Sequence, residues 1–204
     1  GIEMKTNKEL IQIAEQTQNS YLMHQVTLNL MYVHCYYREY LQCANLAEKY
    51  HKTQPAKRTF DFFLLFYMGL SALNLARDTK EDKWRKIGED SIKSMARLVG
   101  CSTWNFENKH KLLLAELYSL DGRFSMAELS YQSSILSAHD HKFIHEQALA
   151  CELYGVFLVE NKNVQGGMKQ LQIAHDQYKQ WGALKKASDV MDLMTLVSSS
   201  SWHA

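Results

Sequence analysis

Histidine and carboxylate side chains crowd one short stretch, His139-Asp140-His141 followed by His145-Glu146. Imidazoles and carboxylates are zinc ligands. His145-Glu146 also opens the His-Glu-x-x-His pattern, in which two histidines one helical turn apart hold the ion and the glutamate acts as base. Leu149 stands where the second histidine is required, so metalloprotease chemistry lacks a ligand. His139, His141 and His145 remain as metal-ligand candidates by residue type alone, and a hydrolase built on them would need bound metal. The competing account of His145-Glu146 is a helix start, where a carboxylate in the first turn offsets the macrodipole. No cofactor and no catalytic residue is expected.

Other chemistry fails on spacing. Cys35 follows His34, but adjacent helical positions point to different faces. Cys151 has no histidine in register with it. Gly166-Gly167-Met168-Lys169 lacks the spaced glycines and the hydroxyl of a phosphate-binding loop, and suits a close helix contact instead. The four cysteines, Cys35, Cys43, Cys101 and Cys151, contain no Cys-x-x-Cys pair and sit in apolar stretches. They are expected to be small buried thiols in a reducing, cytoplasmic setting. The start, Gly1-Ile2-Glu3-Met4-Lys5, is polar and lacks an initiating methionine, which leads us to expect an excised piece of a longer protein.

A net charge of +1 from 23 basic and 22 acidic residues argues against a nucleic-acid or membrane-surface binder, which carries a basic excess. The most apolar run, Phe62 to Ala76, contains Ser71 and Asn74. It is shorter than the roughly 18–20 residues that cross a bilayer. A buried helix is expected there, with the ring of Phe60, Phe62, Phe63, Phe66 and Tyr67 inside, although an exposed aromatic patch for a partner domain is the other account.

One proline, Pro55, and nine glycines in 204 residues leave few places to break a helix. Thr6 and Glu9 stand at capping-box spacing. Apolar periodicity and turn residues then divide the chain into about ten helices. The breaks fall near Ser20, Tyr37-Arg38, Thr53-Gln54-Pro55, Asp78-Thr79-Lys80, Gly100 to Asn105, Asp121-Gly122, His139-Asp140-His141, Asn161-Lys162-Asn163 and Gly182. Such short connections make neighbouring helices antiparallel. We expect one helical domain over residues 1–197 and a serine-rich tail over 198–204. Trp84, Trp104 and Trp181 fall where helices or loops are expected to pack, and Trp202 falls in the tail.

The helices carry a repeat. Leu114, Ala115 and Tyr118, then Ala127, Tyr131 and Ser134, are followed by Tyr154, Gly155 and Leu158, then Gly167, Leu171 and Ala174. This is the large-small-large then small-large-small pattern of tetratricopeptide hairpins, whose small residues let two helices approach closely. Ala127 and Gly167 lie 40 residues apart, longer than the usual repeat of about 34. Leu30, Met31 and His34 with Cys43, Ala47 and Tyr50 match more loosely, and the Gly69–Ala72 helix fits worst. The expected fold is all-α, a right-handed tetratricopeptide-like array of antiparallel helix pairs. Such arrays bind with the inner face of their first helices. Repeat position puts Tyr32, Tyr36, Lys109, Leu112, Glu116, Glu152, Val156 and Glu160 there as candidates. They lack the Lys/Asn cluster that clamps a peptide carboxylate.

The second half resembles the helical-repeat region of very large signalling proteins that join a kinase-like domain, an AAA/STAND-type ATPase, a tetratricopeptide-like stretch, a GAF sensor and a histidine kinase. The residues that carry the resemblance are Cys101, Asn105-Phe106, Lys109 to Glu116, Gly122-Arg123, Ala127, Tyr131, Phe143 to Ala150, Glu152-Leu153, and Tyr178-x-x-Trp181-Gly182-Ala183-x-x-Lys186. Ser102 stands where that family usually has proline. The resemblance implies a non-catalytic middle piece that couples an ATPase or kinase-like region to a sensor or output domain. Its partners would be a protein, a peptide or flanking domains of the same chain, with room for a homo-oligomer. A ligand- or peptide-sensing module that binds through its groove is the alternative.

Overall fold

The computed structural model describes residues 6–53 and 61–199. Gly1 to Lys5, the Pro55 break, Phe60, the last serines and Trp202 lie outside the described residues. The described residues form ten helices and no strand: α1 (Asn7–Gln16), α2 (Ser20–Tyr36), α3 (Tyr40–Thr53), α4 (Asp61–Thr79), α5 (Asp82–Cys101), α6 (Thr103–Leu120), α7 (Phe124–Asp140), α8 (Ile144–Glu160), α9 (Val164–Trp181) and α10 (Leu184–Ser198). The chain divides into two compact units, Gly1–Ser91 and Ile92–Ala204, with the division inside α5.

In the first unit the start of α1 is fixed by the expected capping box. The Thr6 N–H donates to Glu9 Oε2 at 2.6 Å, and the Glu9 N–H donates to Thr6 Oγ1 at 3.3 Å. Asn19 caps α2 by accepting from the Leu22 N–H at 3.0 Å. Helix α4 is the centre of this unit: Leu64, Phe66, Tyr67, Leu70, Ala72 and Leu73 are all at most 2 % exposed. Most of the expected aromatic helix is therefore core, and Phe62 and Phe63 are half-buried. Gly88 of α5 lies so close to α4 that a Cβ there would come within 2.5 Å of Leu73 Cδ2.

In the second unit α6 packs along α7, α7 on α8, α8 along α9, and α9 on α10. The links are two or three residues long, so neighbours run antiparallel. Gly122 (φ +69°) and Gly182 (φ +89°) end α6 and α9 in the left-handed region that glycine enters without steric cost. The small positions read from the repeat are closed contacts. Ala115, Ala127, Leu171 and Ala174 are fully buried, and Gly155 of α8 faces Gly167 of α9.

Two expectations need correction. The loop placed at Gly100 to Asn105 shrinks to Ser102, at φ −158°, ψ 98°. Gly100 continues α5, because its surroundings are open and nothing there requires a turn. Cys101, expected to be buried, ends α5 and is exposed, unlike Cys35, Cys43 and Cys151.

Candidate functional site: buried charges along one row of helices

The polar residues that matter in the second unit occupy positions that an amphipathic helix reserves for its apolar face. On α6, Lys109, Leu112, Leu113 and Glu116 follow the i, i+3, i+4, i+7 spacing of one face. All four are buried, the two charged residues at 4 % and 1 % exposure. On α10, Lys186 precedes Val190, Leu193 and Val197 on one buried stripe. A charge held there must meet an opposite charge and hydrogen bonds, or its desolvation opposes folding.

Both lysines meet a carboxylate, and Glu116 meets a hydroxyl. Lys109 Nζ lies 2.7 Å from both carboxylate oxygens of Glu146 at the start of α8. The same ammonium donates to the Asn105 carbonyl at 2.9 Å and sits 5.1 Å from the centre of the Phe143 ring. Asn108 Nδ2 donates to Glu146 Oε2 at 2.5 Å. Ser134 of α7 donates to the Asn108 carbonyl at 2.7 Å. Six residues further along α8, Glu152 is fully buried. It accepts from Lys186 Nζ of α10 at 2.8 Å and from the Tyr178 hydroxyl of α9 at 2.9 Å. Lys186 also reaches Asp189 at 3.1 Å. Glu116 accepts from the Tyr131 hydroxyl of α7 at 2.5 Å.

Helix α8 therefore holds α6 through one glutamate and α10 through another, and joins α6, α8 and α10 in one row. Hydrogen bonds to Ser134, Tyr131 and Tyr178 tie that row to α7 and α9. One further pair joins α7 and α8: the Tyr154 hydroxyl donates to Glu128 at 2.7 Å. Burial, and then Glu128, push that phenol up to about 12.

These contacts change the meaning of the inner-face candidates. Tyr36, Lys109, Leu112, Glu116 and Glu152 are buried within the helical packing. Val156 and Tyr32 are half-buried, and Glu160 alone is exposed. In the first unit Tyr32 and Tyr36 pack on Tyr67 of α4, with ring centres 5.5 and 6.4 Å away. The physical reason is the close approach of successive helices, which lets side chains on facing surfaces reach one another before they reach solvent.

The histidine cluster also disperses. His139 pairs with Asp140 at 3.1 Å, His141 meets the Trp104 ring in a tilted contact at 4.2 Å, and His145 stacks on Trp181 at 5.2 Å. Among the described residues no three His, Cys, Asp or Glu side chains come together to hold a metal ion. Both tryptophans were expected to be packed, yet Trp104 is 57 % and Trp181 38 % exposed.

His145 does have a thermodynamic role. Burial, aided by the Lys109 charge and opposed by Glu146, holds its imidazole below the ordinary value of 6.5. Burial and Lys111 depress His110 in the same way, against Glu107. The unfolded chain thus binds these protons at higher pH than the folded chain. Their effect on stability is absent well above pH 6.5 and grows unfavourable as pH falls below it. The melting temperature is expected to drop between pH 7.5 and 5.5, and to drop less in His145→Gln. Equal losses in the two proteins would contradict this.

The first unit contains a groove of about 320 Å³ between α1, α2 and α3, lined by Ile11, Ala14, Met23, His24, Leu30 and Leu46 among others. His24 is 1 % exposed. Sequence reasoning did not find this groove, because apolar residues on three separate helices carry no local signal of a gap. No helix among the described residues is long and apolar enough to cross a membrane. No family model matches the chain, and neither a curated protein nor a solved structure does.

Proposed function

We propose that the second unit is a tetratricopeptide-like, non-catalytic scaffold that couples the parts of a larger signalling chain mechanically. The observation that carries this reading is the pair of buried ion links, Lys109–Glu146 and Glu152–Lys186, which tie α6 to α8 and α8 to α10. Buried pairs specify one arrangement more than they add stability. A row fixed in this way passes a displacement at one end to the other instead of absorbing it. The 40-residue spacing of Ala127 and Gly167, and the resemblance from Cys101 to Lys186, support the same reading. Deleting residues 92–199 from the full-length protein should uncouple input from output while each remaining domain stays folded. Unchanged regulation would refute the proposal. The groove on the first unit favours a second reading, ligand sensing. A small apolar molecule with one polar group fits its lining, and a thermal-shift screen would report such binding as a raised melting temperature.

A further inference from the structure

Two cysteines meet at the turn between α2 and α3. Cys35 is the next-to-last residue of α2, and Cys43 lies in the first turn of α3. The link between these helices holds Arg38 in the left-handed region, at φ +59°. It is pinned by the Glu39 N–H, which donates to the His34 carbonyl at 2.8 Å. Cys35 and Cys43 are both free thiols, and each is 0 % exposed. The Cys43 thiol donates to the Tyr67 carbonyl of α4 at 3.8 Å and accepts from the Cys35 thiol. The Cys35 contact holds Cys43 below the ordinary thiol value, while burial opposes this and the Ser71 hydroxyl assists it. The other two cysteines differ. Cys101 is exposed at the end of α5. Cys151 is buried in the middle of α8, where burial pushes its thiol up to about 12.

We propose that Cys35 and Cys43 are an oxidant-sensitive pair that closes to a disulfide and fastens the end of α2 to the start of α3. Sulfurs already in hydrogen-bond contact need only a small approach to form a bond of about 2.05 Å. The oxidant class that fits is a peroxide, small enough to enter when the turn frays. Thiolate is the attacking form, and Cys43 is the thiol whose neighbours favour it. Its sulfur attacks one peroxide oxygen, the O–O bond breaks, and the leaving hydroxide takes up a proton to become water. Cys43 is then a sulfenic acid. The Cys35 sulfur gives up its proton and attacks the Cys43 sulfur, the S–O bond breaks, and a second water leaves. Two thiols are oxidised and one peroxide is reduced to two waters. Position sets the order of access. Helix ends open more readily than helix middles, so Cys35 and Cys43 are reached before Cys151. The bond also joins two of the helices that line the apolar groove of this unit. The inference depends on neither function proposed above.

The test treats the full chain, in a Cys101→Ser background, with hydrogen peroxide under native conditions. The peroxide is then removed, the chain is unfolded in iodoacetamide, and its peptides are mapped by mass. A linked peptide carrying Cys35 and Cys43, lighter by the two thiol hydrogens, should form while Cys151 is still recovered as an alkylated thiol. The melting temperature should rise by about 5 °C or more, because the bond restricts the unfolded chain, and should return on adding dithiothreitol. In Cys35→Ser the link cannot form, and dimedone added with the denaturant should label Cys43 instead. Recovery of Cys35 and Cys43 as alkylated thiols after Cys151 has been oxidised would overturn the proposal. So would a link from either of them to Cys151, or a Cys43 that dimedone leaves unlabelled in Cys35→Ser.

Discussion

Glu146→Ala is expected to lower the unfolding free energy by about 3–5 kcal/mol, the usual result of removing one partner from a buried ion pair. The substitution leaves the Lys109 ammonium, 4 % exposed, with the Asn105 carbonyl and no carboxylate. It also removes the acceptor of the Asn108 amide. Urea denaturation should show a lower midpoint with little change in slope. The paired change Lys109→Met/Glu146→Leu removes both charges and keeps the volume, so it should return most of the loss or exceed the parent protein. Equal destabilisation by the single and the paired change would show that the lost hydrogen bonds of the Glu146 carboxylate, not the unpaired Lys109 charge, set the cost at this site.

Gly167→Ala should destabilise by about 1–3 kcal/mol through overpacking, even though alanine is the better helix former by about 1 kcal/mol. A Cβ at Gly167 would lie 2.5 Å from Val159 Cγ2, 2.8 Å from the Gly155 carbonyl oxygen and 3.1 Å from the Val159 nitrogen. The last two atoms are backbone, so relief requires α8 and α9 to move apart. Gly100→Ala is the control. It meets nothing within 4 Å and lies inside α5, so helix propensity alone should make it neutral or stabilising. Thermal melts of the two variants should therefore shift in opposite directions.

The helices were legible because one proline and few glycines interrupt the apolar periodicity. The tight contacts at Ala127, Gly155 and Gly167 were legible because small residues recur at a fixed spacing. The loop around Gly100 was not, since glycine reads as a turn whether or not the backbone there needs a positive φ. The charged site was legible by half. Lys109 and Glu116 stand at spacings shared with Leu112 and Leu113, which already places charge on a core-facing stripe. Their partners were not readable, because nothing local says which helix lies alongside. Lys109 finds Glu146 37 residues away, and Lys186 finds Glu152 34 away. The exposure of Cys101 and Trp104 has the same origin: both stand at the Ser102 break, where no neighbouring helix covers them.

The central claim is that α6, α8 and α10 act as one connected row. Native-state hydrogen exchange on Lys186→Ala tests it most directly, because exchange reports the opening energy of each segment. The substitution touches only the α10 end, where Lys186 meets Glu152 and Asp189. If the buried pairs transmit that loss, protection falls in α8 and α6 as well as in α10, as expected for stacked units coupled to their neighbours. A loss confined to α10, with α6 and α8 as protected as before, would show that the row does not act as one body.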